Sequence, residues 1–258
     1  KSITLEPGNQ IELSGAPLNS IHLTCNESYK FLDELKKACS SLNLKMMSTS
    51  FDPFSKLKNI PKTPKQRYEI MTEEMPKGGE LSLEMMYQTC GTQINLDYSS
   101  EKDFTKKFKL SSFLVPLSTA IFANSPIKEN KLSGYLSYRS KVWQNTSRGG
   151  LPKYFFEEMD FEKYVDMAIN MPLLFIFKNS KHYRVAEETF KDFMEGKVQI
   201  LKNERPNIKD FENHLATIFY EIRLKKYIEI RSLDTCEWDC HCGGPAFYTG
   251  LLYGNLNE

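Results

Sequence analysis

The sequence predicts an α+β fold with a mostly antiparallel sheet. Short alternating strands sit between amphipathic helices at irregular intervals, and no strand–helix–strand rhythm appears. Three stretches, 3–13, 92–98 and 227–232, each carry apolar residues on one face and acidic, amide or basic residues on the other. That is the pattern of half-buried antiparallel strands.

Residues 3–15, ITLEPGNQIELSG, read as two strands joined by a tight turn at Pro7-Gly8-Asn9. Gln10 and Glu12 share one face, and Glu6 stands at the lip of the turn. Two carboxylates and an amide oxygen converge there, a hard-oxygen set that suits magnesium. The competing reading is the polar outer face of an ordinary hairpin.

A helix follows, capped by Asn19 or Ser20, with Ile21, Cys25, Leu32, Leu35, Cys39 and Leu42 at helical spacing. Residues 44–50 read as a strand and 51–65 as loop. Residues 66–74 read as a helix that Met75-Pro76-Lys77-Gly78-Gly79 breaks. Residues 84–99 form the second strand region, with Gln93, Asn95 and Asp97 facing one way in 92–98 and Ile94, Leu96 and Tyr98 the other. Ser100 and Asp103 open a helix that runs to about residue 123 and is interrupted or kinked at Pro116.

Beyond it, 161–170 reads as a short helix and 172–178 as an apolar strand. Stretches 185–195 and 210–219 have helical composition, 227–234 alternates as a strand, and 245–254 begins a helix or turn.

The 258 residues suffice for a sizeable core. Apolar residues make up 40% and charged residues 26%, a globular composition. A net charge of +1 argues against nucleic-acid or membrane-surface partners. No apolar run reaches the roughly 20 residues that span a bilayer. Six irregularly spaced cysteines imply no disulfide scaffold, so a reducing cytoplasm is the expected location. A strand motif two residues from the first residue reads as a chain that begins mid-fold.

On the last strand Tyr227, Glu229 and Arg231 share a face. Glu229 and Arg231 either pair as a salt bridge or hold a metal and an anion together, as phosphoryl transfer requires. Cys236, Cys240, His241 and Cys242 suggest zinc, but the spacing fits no common zinc motif. His214 reads equally as a core histidine or a nucleotide neighbour. The Met46-Met47 and Met85-Met86 pairs read as core.

Taken in order, EPGNQIELSGAP, RYEIMTEEMPKGG, TQINLDYSS, IFANSP, LSYRSKVW, ENHLATIF and RLKKYIEIRSLD resemble the glutamate–cysteine ligases of the plant and α-proteobacterial type, from Ile3 to about Gly254. The resemblance implies a glutamine-synthetase-like fold, an antiparallel sheet curled into a funnel with helices outside. It implies a single catalytic domain over 1–258 that lacks the N- and C-terminal parts of the full enzyme. It also implies synthesis of γ-glutamylcysteine from glutamate, cysteine and ATP with magnesium, the first step of glutathione synthesis. The alternatives are a ligase joining glutamate to another amine, or a non-catalytic relative.

Carried over by resemblance, Glu6, Glu12 and Glu229 bind magnesium, with Gln93 on the metal side. Arg231 and Arg139 contact the transferred phosphate or the glutamate. Arg67 and Asn95 lie near the substrates, and Trp143 and Met86 belong to the cysteine pocket. The family's Glu-x-Glu-like first strand has no counterpart here. One cysteine pair of some plant members falls on Val185 and Ile200, which cannot form it. The resemblance makes Cys25–Cys242 a candidate redox disulfide, with a reduced, packed pair the expected state in cytoplasm.

Overall fold

The computed structural model describes residues 1–185, 187–237 and 240–254. Its first elements are the hairpin β1 (Ser2–Leu5) and β2 (Ile11–Ser14), then α1 (Ile21–Ser41), which Ser20 caps by accepting from the Leu23 amide. Next come α2 (Gln66–Glu74), α3 (Ser82–Gln88), β3 (Thr92–Leu96) and α4 (Glu101–Ile121), the last capped by Ser100 and continuous through Pro116. The pair β4 (Ile127–Lys128) and β5 (Lys131–Leu132) precedes α5 (Tyr138–Gln144) and β6 (Gly149–Gly150). Then follow α6 (Phe161–Ile169), β7 (Phe175–Lys178), β8 (Lys181–Arg184), α7 (Phe190–Met194) and α8 (Ile208–Leu215). The last elements are β9 (Phe219–Tyr220), β10 (Ile222–Leu224), β11 (Ile228–Leu233) and α9 (Gly243–Leu252).

The fold is α+β. Among the described residues its strands form one three-stranded antiparallel sheet, β10–β11–β3, and four two-stranded pieces, of which only β6–β9 is parallel. These sheets are small and unclosed. They do not by themselves make a funnel.

Several sequence expectations need correction. Residues 44–50 form no strand: Leu44, Met46 and Met47 are exposed, so this methionine pair is not core. Residues 82–88, SLEMMYQ, are helical rather than extended, since Leu, Glu, Met and Gln are strong helix formers. Met85 and Met86 are buried as expected. Within 185–195 only Phe190–Met194 is helical, and it starts where Thr189 and Asp192 form a capping box.

The main core lies on one face of the three-stranded sheet. There Ile94, Leu96, Ile222, Ile228 and Ile230 pack against Phe104 and Phe108 of α4, Tyr164 of α6 and Tyr248 of α9. Burial of each such side chain stabilises the fold by roughly 1.5–3 kcal/mol. A second cluster joins Tyr68, Met71, Met86, Tyr87, Val142 and Trp143.

Gln10 docks the hairpin beside this second cluster. Its amide nitrogen donates to the Met86 and Thr89 carbonyls at 3.1 and 3.0 Å, and its oxygen accepts from the Gly8 amide at 2.8 Å. Gly8 has no room for a side chain, since a Cβ there would lie 2.3 Å from the Tyr87 carbonyl oxygen. Helix α1 buries no residue; the Cys25–Cys242 disulfide and the Tyr29 ring against His241, 4.9 Å between centroids, tie it down. The cysteine pair is therefore bonded, not reduced. His214 is a core histidine, its Nε2 bonded to the Ala168 carbonyl at 2.8 Å.

Candidate active site

The face of the three-stranded sheet opposite the main core is charged. Alternation puts Arg223, Glu229 and Arg231 on it, and register sets Glu229 between Arg223 on β10 and Asn95 on β3. Glu229 is buried, and both its oxygens are taken. Oε2 accepts from Arg223 Nε and from Arg231 Nη1, the latter at 2.9 Å, and Oε1 accepts from Lys225 Nζ at 2.9 Å. Burial alone would raise the Glu229 pKa, but Arg231 and Arg223 outweigh it and hold the carboxyl far below the usual range. Arg231 is itself lowered to about 10, first by burial and then by the like charge of Arg223.

Arg231 Nη1 also donates to Gln93 Oε1 at 2.9 Å, and Gln93 and Asn95 are open to solvent. From α5 come Arg139 and Trp143. Both the Arg139 and Arg231 guanidinium carbons lie 5.1 Å from the Trp143 ring centroid, a cation–π arrangement. Arg139 Nη2 donates to the Arg231 carbonyl at 2.6 Å, and Asp234 Oδ1 stands 3.9 Å from Arg139 Nη1. Asp234 is held by the Ser125 and Ser137 hydroxyls at 2.7 and 3.0 Å.

Five buried polar atoms here have no hydrogen-bond partner: Arg139 Nε and Nη1, Arg231 Nε, Trp143 Nε1 and Glu221 Oε2. Burial raises the Glu221 pKa, while Arg139 and Arg231 pull it back. Buried polar groups are almost always paired, so unspent donors on two arginines suit an anionic ligand.

Gly91 makes the close approach of Arg139 possible. A Cβ at Gly91 would stand 2.7 Å from Arg139 Nε and 2.7 Å from the Leu233 carbonyl oxygen. Gly91→Ala is expected to displace Arg139 and to cost about 1–3 kcal/mol of stability. Thermal unfolding beside a turnover assay checks this; unchanged values in both would show that the site tolerates the shift.

The hairpin carboxylates form a separate group. Glu6 is half-buried, and its pKa is raised, first by burial and then by the nearby Glu12 charge, with Arg67 and Lys65 opposing. Tyr68 Oη donates to Glu6 Oε2 at 3.4 Å, and the Arg67 guanidinium lies 5.3 Å from the Tyr68 ring. Magnesium often takes one or two protein carboxylates with phosphate and water oxygens, and the mutual repulsion of Glu6 and Glu12 suits a cation between them. Glu229 does not fit such a role here, because three cations already occupy its oxygens. Among the described residues no three His, Cys, Asp or Glu side chains group as a metal site.

The structure thus joins Arg231, Arg139, Trp143, Glu229, Gln93 and Asn95 on one face, and Glu6, Glu12 and Arg67 at the hairpin. Met86 links the groups: its carbonyl holds Gln10, and it shares a cluster with Trp143. Sequence reasoning missed Arg223, Glu221 and Asp234. The available signal was the R-L-K-K-Y-I-E spacing, which puts Arg223 opposite Glu229 once 222–230 folds as a hairpin.

The family description "glutamate-cysteine ligase family 2" matches residues 1–258. The chain belongs to glutamate-cysteine ligase family 2. Within this family it is 45% identical over 260 residues to a chloroplastic glutamate–cysteine ligase of Nicotiana tabacum, covering 100% of this chain and 50% of that one. It is 47% identical over 256 residues to chloroplastic glutamate–cysteine ligase B of Oryza sativa subsp. japonica, covering 98% and 52%. Against the chloroplastic enzyme of Arabidopsis thaliana the identity is 44%, covering 98% and 49%. The chain spans about half the length of the curated family members it matches. Those members are named chloroplastic, which overturns the cytoplasmic expectation; cysteine usage and charge do not distinguish a reducing cytoplasm from a plastid.

Proposed function

We propose that this chain carries the phosphoryl-transfer site of an ATP-dependent glutamate–cysteine ligase, which forms γ-glutamylcysteine from L-glutamate and L-cysteine through γ-glutamyl phosphate. The observation that carries this reading is the pair of buried guanidiniums, Arg139 and Arg231, with unspent donors over Trp143. A carboxylate is a poor electrophile, and its activation builds negative charge that fixed cations stabilise.

In this reading Arg231 and Arg139 grip the transferred phosphate or the glutamate carboxylate. Glu229 holds Arg231, Arg223 and Lys225 in place rather than binding a metal. Trp143 and Met86 wall the cysteine pocket and keep water from the acyl phosphate. Arg67, Asn95 and Gln93 line the substrate side. Bound ATP supplies the phosphoryl group, and magnesium held at Glu6 and Glu12 would neutralise its charge. The three-stranded sheet would form part of a glutamine-synthetase-like funnel wall, with the whole of 1–258 inside one catalytic domain. The substrates are small molecules; neither nucleic acid nor membrane enters the reading.

A coupled ADP-release assay on the protein carrying this chain tests the proposal. Glutamate with cysteine should give sustained ADP release, and glutamate alone far less. Equal release with an unrelated amine in place of cysteine would favour a different amine partner, and no release under any condition a non-catalytic relative.

A further inference from the structure

Glu221 is a buried acid with no role in the grip described above. It immediately precedes β10, and its backbone is fixed on both sides. Its amide donates to the Gly150 carbonyl at 3.0 Å, and its carbonyl accepts from the Arg231 amide at 2.8 Å. The register that sets Ile222 opposite Ile230 and Arg223 opposite Glu229 therefore continues to Glu221 opposite Arg231. Directly opposed residues share a face, so Glu221 stands on the charged face, its Cβ about 5 Å from that of Arg231. The residue is only 3% exposed, and its Oε2 has no partner. Glu229 spends its two oxygens on three cations; Glu221 spends Oε2 on none. One unspent acceptor thus accompanies the unspent donors Arg231 Nε and Arg139 Nε and Nη1. The donors suit phosphate and carboxylate oxygens, whereas a lone buried acceptor suits an N–H donor. The reaction brings one, because an amine substrate arrives as an ammonium.

We infer that Glu221 is the general base of the ligase reaction, its Oε2 accepting the ammonium of the amine substrate and taking one proton from it. The inference rests on the acyl-phosphate reading above. The freed amine attacks the γ-carbonyl carbon of γ-glutamyl phosphate. The C–N bond forms, the C–O bond to phosphate breaks, and the surplus proton on nitrogen goes to the departing phosphate. Glu221 then releases its proton to solvent. Burial raises the Glu221 pKa; Arg139 of α5 and Arg231 of β11 oppose the rise, and Asp234 beyond β11 adds to it. Tyr248 of α9 feels the same charge, and Arg223 shares the face from β10. A carboxyl raised in this way is a better proton acceptor than a free glutamate.

The test compares two acceptors on the protein carrying this chain, with glutamate and ATP saturating. Cysteine presents a protonated amine near neutral pH; hydroxylamine is already a free base there. Glu221→Gln should lower kcat with cysteine by about 10²–10³-fold and leave γ-glutamyl hydroxamate formation within about threefold of wild type. Hydroxamate formation also reports that the variant is folded and its arginines in place. A parallel loss of both reactions would make Glu221 a support for the arginines and overturn the inference. Cysteine turnover within about threefold of wild type would overturn it as well. If Glu221→Gln does not fold, Glu221→Asp draws the base back by one methylene and is read in the same way. Its cysteine turnover should fall well below its hydroxamate formation, and a parallel fall overturns the inference. Wild-type protein that forms no hydroxamate contradicts the acyl-phosphate reading itself, and this inference falls with it.

Discussion

Replacing Glu229 by glutamine is expected to destabilise the folded chain by roughly 3–5 kcal/mol, the usual cost of removing one partner from a buried ion pair. The substitution keeps the shape and leaves Arg223, Arg231 and Lys225 facing one another without their shared counter-charge. From sequence alone the same change looks like loss of a metal ligand that spares the fold. The structure predicts that the fold itself suffers.

The pH dependence follows from the sign of the shift. The Glu229 pKa is depressed in the folded state, below the value of about 4.5 ordinary for an unfolded glutamate. Its stabilisation is therefore fully present above that unfolded value and is lost as pH falls toward the folded one. The deficit of Glu229→Gln should be largest at neutral pH and shrink below about pH 4. Urea unfolding of both proteins across pH checks this. A difference under about 1 kcal/mol at pH 7 would show that the network contributes no more than a surface pair.

Arg231→Lys is expected to lower turnover by about 10²–10³-fold, nearly as much as Arg231→Ala. Arg231 uses one nitrogen for Glu229 and Gln93 and rests its plane on Trp143. A lysine ammonium keeps the charge but not the planar fork or the stacking. Steady-state kinetics with glutamate, cysteine and ATP varied in turn would read the loss. A lysine variant within tenfold of wild type would mean that charge alone suffices and that the planar grip is not used.

Much of this was legible because the deciding signals are local. Residues 66–74 are helical to the residue, because helix formers run up to a Met-Pro-Lys-Gly-Gly break. Ser20 and Ser100 cap where a side-chain oxygen precedes a helix. Tyr-Ile-Glu-Ile-Arg alternates so cleanly that the faces of β11 follow from period two alone. The errors came where a local pattern has two solutions. Residues 44–47 have strand composition but pair with no strand; Leu44 N donates instead to the Cys39 carbonyl at 2.8 Å. At 83–87 the helix preference of Leu, Glu and Met outweighs a short, largely apolar pattern that also suits a strand.

The charged face was half legible. Glu229 and Arg231 share a strand, so their pairing can be read directly. Arg223, Glu221 and Asp234 join them only through the β10–β11 register and the packing of α5, which no spacing along one strand reveals. The occupation of Glu229 by three cations, which displaces its metal role, depends on the same long-range geometry.

Positional isotope transfer tests the central claim most directly. Glutamate labelled with oxygen-18 in its γ-carboxylate would be turned over with ATP and cysteine by the protein carrying this chain, and the released phosphate analysed by mass. Activation through γ-glutamyl phosphate predicts one labelled oxygen in each phosphate released, with Arg231→Ala losing the transfer together with turnover. Phosphate free of label, released alongside γ-glutamylcysteine, would contradict it.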